Sequence, residues 1–134
     1  MAKILLVDDA MFMRNMLKQL IKHDGIEILE ASNGIEAVEK YREFKPELVF
    51  MDITMPEMNG IEAVKAIKAI APDSNIVMCS AMGQQTMVIE AMQAGAADFI
   101  VKPFKNEKVK SVVQQYLHID ISGNSAPEIL SGTP

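Results

Sequence analysis

Five short apolar runs recur along this chain at roughly 20- to 30-residue intervals, each followed by a stretch with helical spacing. The runs are Lys3–Val7, Ile26–Leu29, Leu48–Met51, Asn75–Ser80 and Phe99–Val101. Leu48–Met51 is apolar at every position, the pattern of a strand buried on both faces in the middle of a parallel sheet. After the first run, Met13, Met16, Leu17, Leu20 and Ile21 mark one face of a helix from Ala10 to about His23. Ser32 and Asn33 are N-cap types, with Glu36 placed to complete the cap; a helix to about Phe44 follows, with Ile35, Val38 and Tyr41 on one face. Ile61, Val64, Ile67 and Ala71 define a third helix that ends at Ala71-Pro72. A fourth spans Gln84–Ala94 and closes at Gly95, and a last runs from about Lys105 to Leu117. Strands and helices alternating at this spacing predict an α/β fold, a doubly wound parallel sheet covered on both faces. Right-handed crossovers leave few topologies for it.

At 134 residues the chain supports one core and is too short for two ordinary domains. The predicted domain covers 1–117. Residues 118–134 hold two Gly, three Ser and two Pro and read mostly as a disordered tail, unless the alternation over Leu117–Ile121 adds an edge strand. No apolar run approaches the ~18 residues of a membrane span, and Ile4–Val7, followed by two acids, is no secretory signal. With one cysteine there is no internal disulfide, which points to a reducing cytoplasm. A net charge of −5 without a Lys/Arg cluster argues against nucleic acid or an anionic membrane as partner; protein is expected instead.

In an open parallel sheet the carboxyl ends of the strands share one edge, where ligands bind. Asp8 and Asp9 follow the first run, Asp52 the third, Ser80 ends the fourth and Lys102 follows the fifth. Each has a plain structural reading when taken alone. Asp8-Asp9 can start a helix, Asp52 can cap the turn through Pro56, Asn59 and Gly60, Lys102 can be solvated, and Ser80 can cap a strand. Their meeting on one rim points to chemistry. Two carboxylates ~4 Å apart repel by roughly 4 kcal/mol at an effective dielectric near 20, so three together need a proton or a cation. Hard oxygen ligands suit Mg²⁺, which bridges carboxylate and phosphate oxygens. Asp52 is then a carboxylate nucleophile that forms an acyl phosphate. Lys102 supplies a point charge to a phosphoryl oxygen, Ser80 donates to another, and backbone N–H groups after Asp52 complete the cradle.

Leu6-Val7-Asp8-Asp9, Met51-Asp52-Ile53-Thr54-Met55-Pro56, Ser80-Ala81 and Val101-Lys102-Pro103-Phe104 resemble the motifs of two-component receiver domains. The resemblance runs from about Lys3 to Leu117. Met11-Phe12-Met13-Arg14 and the stretch from Cys79 to Gln85 are similar to single-domain chemotaxis regulators of Gram-positive and thermophilic type. This implies a flavodoxin-like five-stranded sheet in the order 2-1-3-4-5 with five helices. It also implies that Asp52 accepts the phosphoryl group, that Asp9, Asp52 and the Thr54 carbonyl bind Mg²⁺, and that Asp8 contributes through water. Ser80 and Lys102 would contact the phosphoryl group, and Lys102-Pro103 would be a cis peptide. Phe99 stands at the family's aromatic switch position, often Tyr, and Thr54 and Met82 stand where the family tunes access of hydrolytic water. The implied partners are a histidine kinase as phosphoryl donor and the flagellar motor switch or another chemotaxis protein. Such a protein is a monomeric switch that catalyses only its own phosphorylation and dephosphorylation.

The fourth helix carries Met87, Val88, Ile89, Ala91, Met92 and Ala94, an apolar arc wider than one buried stripe requires. Gln84, Gln85, Val88, Met92 and Phe99 are therefore the predicted partner surface. Cys79 reads as a small core residue, and the eleven methionines chiefly as core filler, with a few around the first and fourth helices facing partners. Three other functions fit less well. A phosphorelay protein or other single-domain regulator would use the same site. A flavodoxin-type electron carrier needs a hydroxyl- and Gly-rich loop where Asp8-Asp9 stands. A Mg²⁺-dependent phosphatase usually needs a second Asp as general acid where Thr54 stands.

Overall fold

The computed structural model describes residues 1–124. Five strands alternate with five helices: β1 (Ala2–Val7), α1 (Met11–Ile21), β2 (Ile26–Ala31), α2 (Gly34–Phe44), β3 (Leu48–Asp52), α3 (Gly60–Ile70), β4 (Ile76–Ser80), α4 (Gln85–Gln93), β5 (Asp98–Val101) and α5 (Asn106–Leu117). All strand pairs are parallel, in the order β2-β1-β3-β4-β5. The sheet is thus the doubly wound one that the spacing predicts.

Strand periodicity explains why the apolar runs are continuous, since successive side chains leave a strand on opposite faces. Leu5, Val7, Val49, Met51, Ile76 and Met78 pack under α2, α3 and α4. Their neighbours Ile4, Leu6, Leu48, Phe50, Val77 and Cys79 pack under α1 and α5. Every β3 residue is buried. Each fully buried aliphatic side chain contributes about 1.5–3 kcal/mol, so both layers anchor the central strands. Asn33 caps α2 by accepting from Glu36 N at 2.9 Å. Asn59 and Glu62 form a reciprocal capping box on α3.

One expectation about packing needs correction. Ile35 is exposed, and Ala37, with no exposure at all, lies under α2 beside Val38 and Tyr41. The helix sits close enough to the sheet for a methyl group to fill the gap. Among the methionines, Met16, Met51, Met55 and Met78 are buried and Met13 and Met58 pack partly against the core, whereas Met1, Met11, Met82, Met87 and Met92 are exposed, three of them on α1 and α4.

The chain stays packed beyond α5. His118 adopts a left-handed conformation (φ 58°) that ends the helix, and no strand forms over Leu117–Ile121. Ile121 is buried in the α1/α5 layer. The Asn124 side-chain amide donates to the carbonyls of Leu20 and Lys22 at 2.8 and 2.7 Å, closing the end of α1. Residues 118–124 therefore form a strap where the sequence predicts disorder; the rest of the predicted tail, 125–134, lies outside the described residues. No helix among the described residues is long and apolar enough to cross a membrane.

Candidate functional site

The topology brings the carboxyl ends of β1, β3, β4 and β5 to one edge, and Asp8, Asp9, Asp52 and Lys102 meet there. Asp8 and Asp52 are buried (4 % and 7 % exposed), while Asp9 is open to solvent. One carboxylate oxygen from each lies within 4.8 Å of the others. The Lys102 ammonium donates to Asp8 Oδ2 at 2.9 Å and to Asp52 Oδ1 at 3.1 Å. The other Asp8 oxygen accepts from Ala10 N at 2.9 Å.

Local structure fixes these positions. Gly60 N donates to the Ile53 carbonyl at 2.8 Å, closing the loop after β3 on itself. A Cβ at Gly60 would stand 2.1 Å from the Asp52 carbonyl oxygen, so only glycine admits this approach. Lys102 N donates to the Ser80 carbonyl at 2.7 Å, which ties the end of β5 to β4. The Lys102-Pro103 peptide is cis, as the resemblance implies. Arg14 donates to the Asp8 carbonyl at 2.5 Å and pairs with Glu30 at 2.9 Å. Lys18 also pairs with Glu30, at 3.0 Å.

The electrostatics favour a cation. Burial, and then the neighbouring Asp8 charge, push Asp52 from an ordinary 3.8 up to about 6, although Lys102 opposes them. Burial pulls the Lys102 ammonium down, but its hydrogen bond to Asp8 and the charge of Asp52 outweigh that and raise its pKa. Three carboxylates against one ammonium leave two uncompensated negative charges, the charge of one divalent ion. An all-oxygen donor set of this kind fits Mg²⁺.

Ser80 is buried at the end of β4, in register with Val101 and next to Lys102 across the sheet. It also lines a groove of about 740 Å³ between α4 and β5, together with Met82, Ile89, Met92 and Phe99. This groove lies beside the acids, not over them, and Ser80 borders it. Phe99 and Met92 are 39 % and 37 % exposed on it. Val88, predicted on the partner surface, also borders the groove but is only 9 % exposed, because it and Ala91 form the face of α4 turned to the sheet. Gln85 is exposed.

Gln84 occupies a place that its assignment to a partner surface does not anticipate. Its Oε1 accepts from Ala81 N at 2.7 Å, and its Nε2 donates to Thr54 Oγ1 at 2.9 Å. Arg14, Glu30 and the Gln84 bridge are the site features that sequence reasoning missed. Arg14 belongs to a quoted motif, yet nothing in the spacing shows its reach to Asp8. Cys79 is a core residue, and burial pushes its thiol pKa far up, away from nucleophilic use.

Residues 4–114 match the response regulator receiver domain family. The chain is 63 % identical over 108 residues to the chemotaxis protein CheY of Thermotoga maritima, covering 80 % of this chain and 90 % of that protein. It is 57 % identical over 117 residues to the chemotaxis protein CheY of Bacillus subtilis, covering 87 % and 98 %. Among solved structures, the response regulator domain of Thermotoga maritima CheB superposes with a TM-score of 0.77 at 36 % identity, covering 89 % of this chain and 98 % of that one.

Proposed function

The chain belongs to the response regulator receiver domain family, and on that premise we propose that it is a chemotaxis regulator of the CheY type, phosphorylated on Asp52. The observation that carries this reading is the shared ammonium: Lys102 bridges two buried carboxylates beside a third that is open to solvent. That arrangement neutralises part of the site and leaves two negative charges for a cation to balance.

One Asp52 carboxylate oxygen attacks the phosphorus of a phosphohistidine on a histidine kinase, or of a small acyl phosphate. The P–N or P–O bond to the leaving group breaks, and an aspartyl phosphate forms. Asp52 must be ionised to attack, and at pH 7 it is mostly so despite its raised pKa of about 6. Asp9, Asp52 and the Thr54 carbonyl would hold Mg²⁺, with Asp8 acting through water. When bound, the ion neutralises charge on the transferring oxygens. Lys102 gives up its bond to Asp52 and follows a phosphoryl oxygen while keeping Asp8. Ser80 moves toward the new acceptors, and Phe99 turns into the space it leaves, which repacks the α4/β5 groove for a partner. That partner is the flagellar motor switch or another chemotaxis protein, reached in the cytoplasm. The relatives' chemotaxis roles favour this reading over a phosphorelay, and the acids at the end of β1 and Thr54 after Asp52 count against an electron carrier or a phosphatase.

Acetyl phosphate with Mg²⁺, followed by intact mass, tests the assignment. One added phosphoryl group is expected, absent in Asp52→Asn and after chelation. Labelling that persists in Asp52→Asn overturns it.

A further inference from the structure

We propose that Gln84 is a latch: its side-chain amide holds the two loops at the mouth of the site together while Asp52 is unmodified, and must release for a phosphoryl group to be seated. The proposal rests on the reading of Asp52 as phosphoacceptor.

The loops in question leave the sheet side by side. Asp52 of β3 is in register with Cys79 of β4, and Ile53 N donates to the Cys79 carbonyl at 3.3 Å. Thr54 comes two residues after Asp52, and Ala81 directly follows Ser80. Gln84 joins them with one planar group, accepting from Ala81 N at 2.7 Å and donating to Thr54 Oγ1 at 2.9 Å. Its Nε2 also lies 3.8 Å from Met87 Sδ, which steadies the side chain over the first turn of α4. A Ser, Thr, Asp or Asn just ahead of a helix turns its side chain back onto the first turn. Gln84 makes no such bond, and α4 is left without a side-chain cap. The amide is committed across the gap instead.

The chemistry of the bridge sets its sign. A phosphoryl group offers only acceptor oxygens and therefore needs donors. The Ala81 N–H directly follows Ser80 on the rim, the place where such a donor is needed, and Gln84 Oε1 already occupies it. The two acceptors compete for one N–H, so seating the phosphoryl group and keeping the latch are mutually exclusive. Once phosphorylated, the protein has the latch open, and hydrolysis starts from that open form. Removing Gln84 therefore speeds phosphorylation and leaves hydrolysis alone.

The test uses the full chain with acetyl phosphate and Mg²⁺. Intact mass gives the phosphorylation rate, and the decay of the label after donor removal gives the hydrolysis rate. Gln84→Ala is expected to raise the phosphorylation rate ~5-fold, the scale of losing a pair of modest hydrogen bonds at a solvated rim, with the hydrolysis rate unchanged. Thr54→Val, which severs one of the two bonds, should give a smaller increase and add little in the Gln84→Ala background. An unchanged or lower rate in Gln84→Ala overturns the latch, as does faster hydrolysis at an unchanged phosphorylation rate. Should Gln84→Ala not fold, Gln84→Met, which keeps the length of the side chain and removes both bonds, decides on the same criterion. A wild-type chain that takes up no label refutes the phosphoacceptor reading, and the latch with it. A labelled wild type with an indifferent Gln84→Ala refutes the latch only.

Discussion

Asp52→Asn should make the metal-free protein more stable at neutral pH. Burial, and then the charge of Asp8, raise the Asp52 carboxyl from 3.8 to about 6. At ~1.4 kcal/mol per pH unit, a fully shielded carboxylate would withhold roughly 3 kcal/mol from the folded state. Asp52 sits at the rim beside the solvent-exposed Asp9, where water screens part of its charge, and the expected gain is about 1–2 kcal/mol. The asparagine keeps a carbonyl oxygen for Lys102 and loses the charge. The sign follows from proton binding. Between pH 3.8 and about 6 the folded chain holds more protons at this residue than the unfolded one, so its contribution falls as pH rises through that window and stays unfavourable above it. Thermal unfolding in EDTA at pH 7.5 should show Asp52→Asn melting about 3–8 °C above the wild type, and the gap should close below pH 4. Adding Mg²⁺ should stabilise the wild type more than the variant. An Asp52→Asn chain that melts lower in EDTA at pH 7.5 would refute the electrostatic argument for the whole cluster.

Other substitutions probe how the site is supported. Gly60→Ala forces the loop away from the Asp52 carbonyl and should lower stability by roughly 2 kcal/mol or more in chemical denaturation, with slower uptake of phosphoryl from acetyl phosphate. Val88→Asp places a charge in the core and should unfold the chain at ambient temperature, whereas Met92→Asp, exposed on the groove, should change stability by about 0.5 kcal/mol or less while partner binding drops, as read by calorimetry. Ile121→Ala should cost about 2–3 kcal/mol in urea unfolding, because that side chain is fully packed in the α1/α5 layer.

The alternation of elements was readable because a strand buried on both faces leaves an uninterrupted apolar run, as Leu48–Met51 does. The acids were readable because they terminate such runs, and a parallel sheet gathers strand ends. Small residues were not. Ala37 packs fully under α2 while Ile35 faces solvent, and hydrophobic spacing weights them the other way. Contacts made by loops were also hidden: Gln84 and Thr54 are far apart in sequence, and their meeting depends on how two turns leave neighbouring strands. The strap was hidden for a related reason. Ser122, Gly123 and Asn124 look like linker, yet Ile121 supplies the anchor and Asn124 finds bare carbonyls.

That strap decides how the protein can be handled as a tool. A reporter spliced on at Leu117 would strip the amide from Leu20 and Lys22 and loosen the first helix, whose opposite end carries the Arg14 grip on Asp8. One spliced on after Asn124 would instead be moored to the first and last helices together, with the acidic rim at the far edge of the sheet undisturbed.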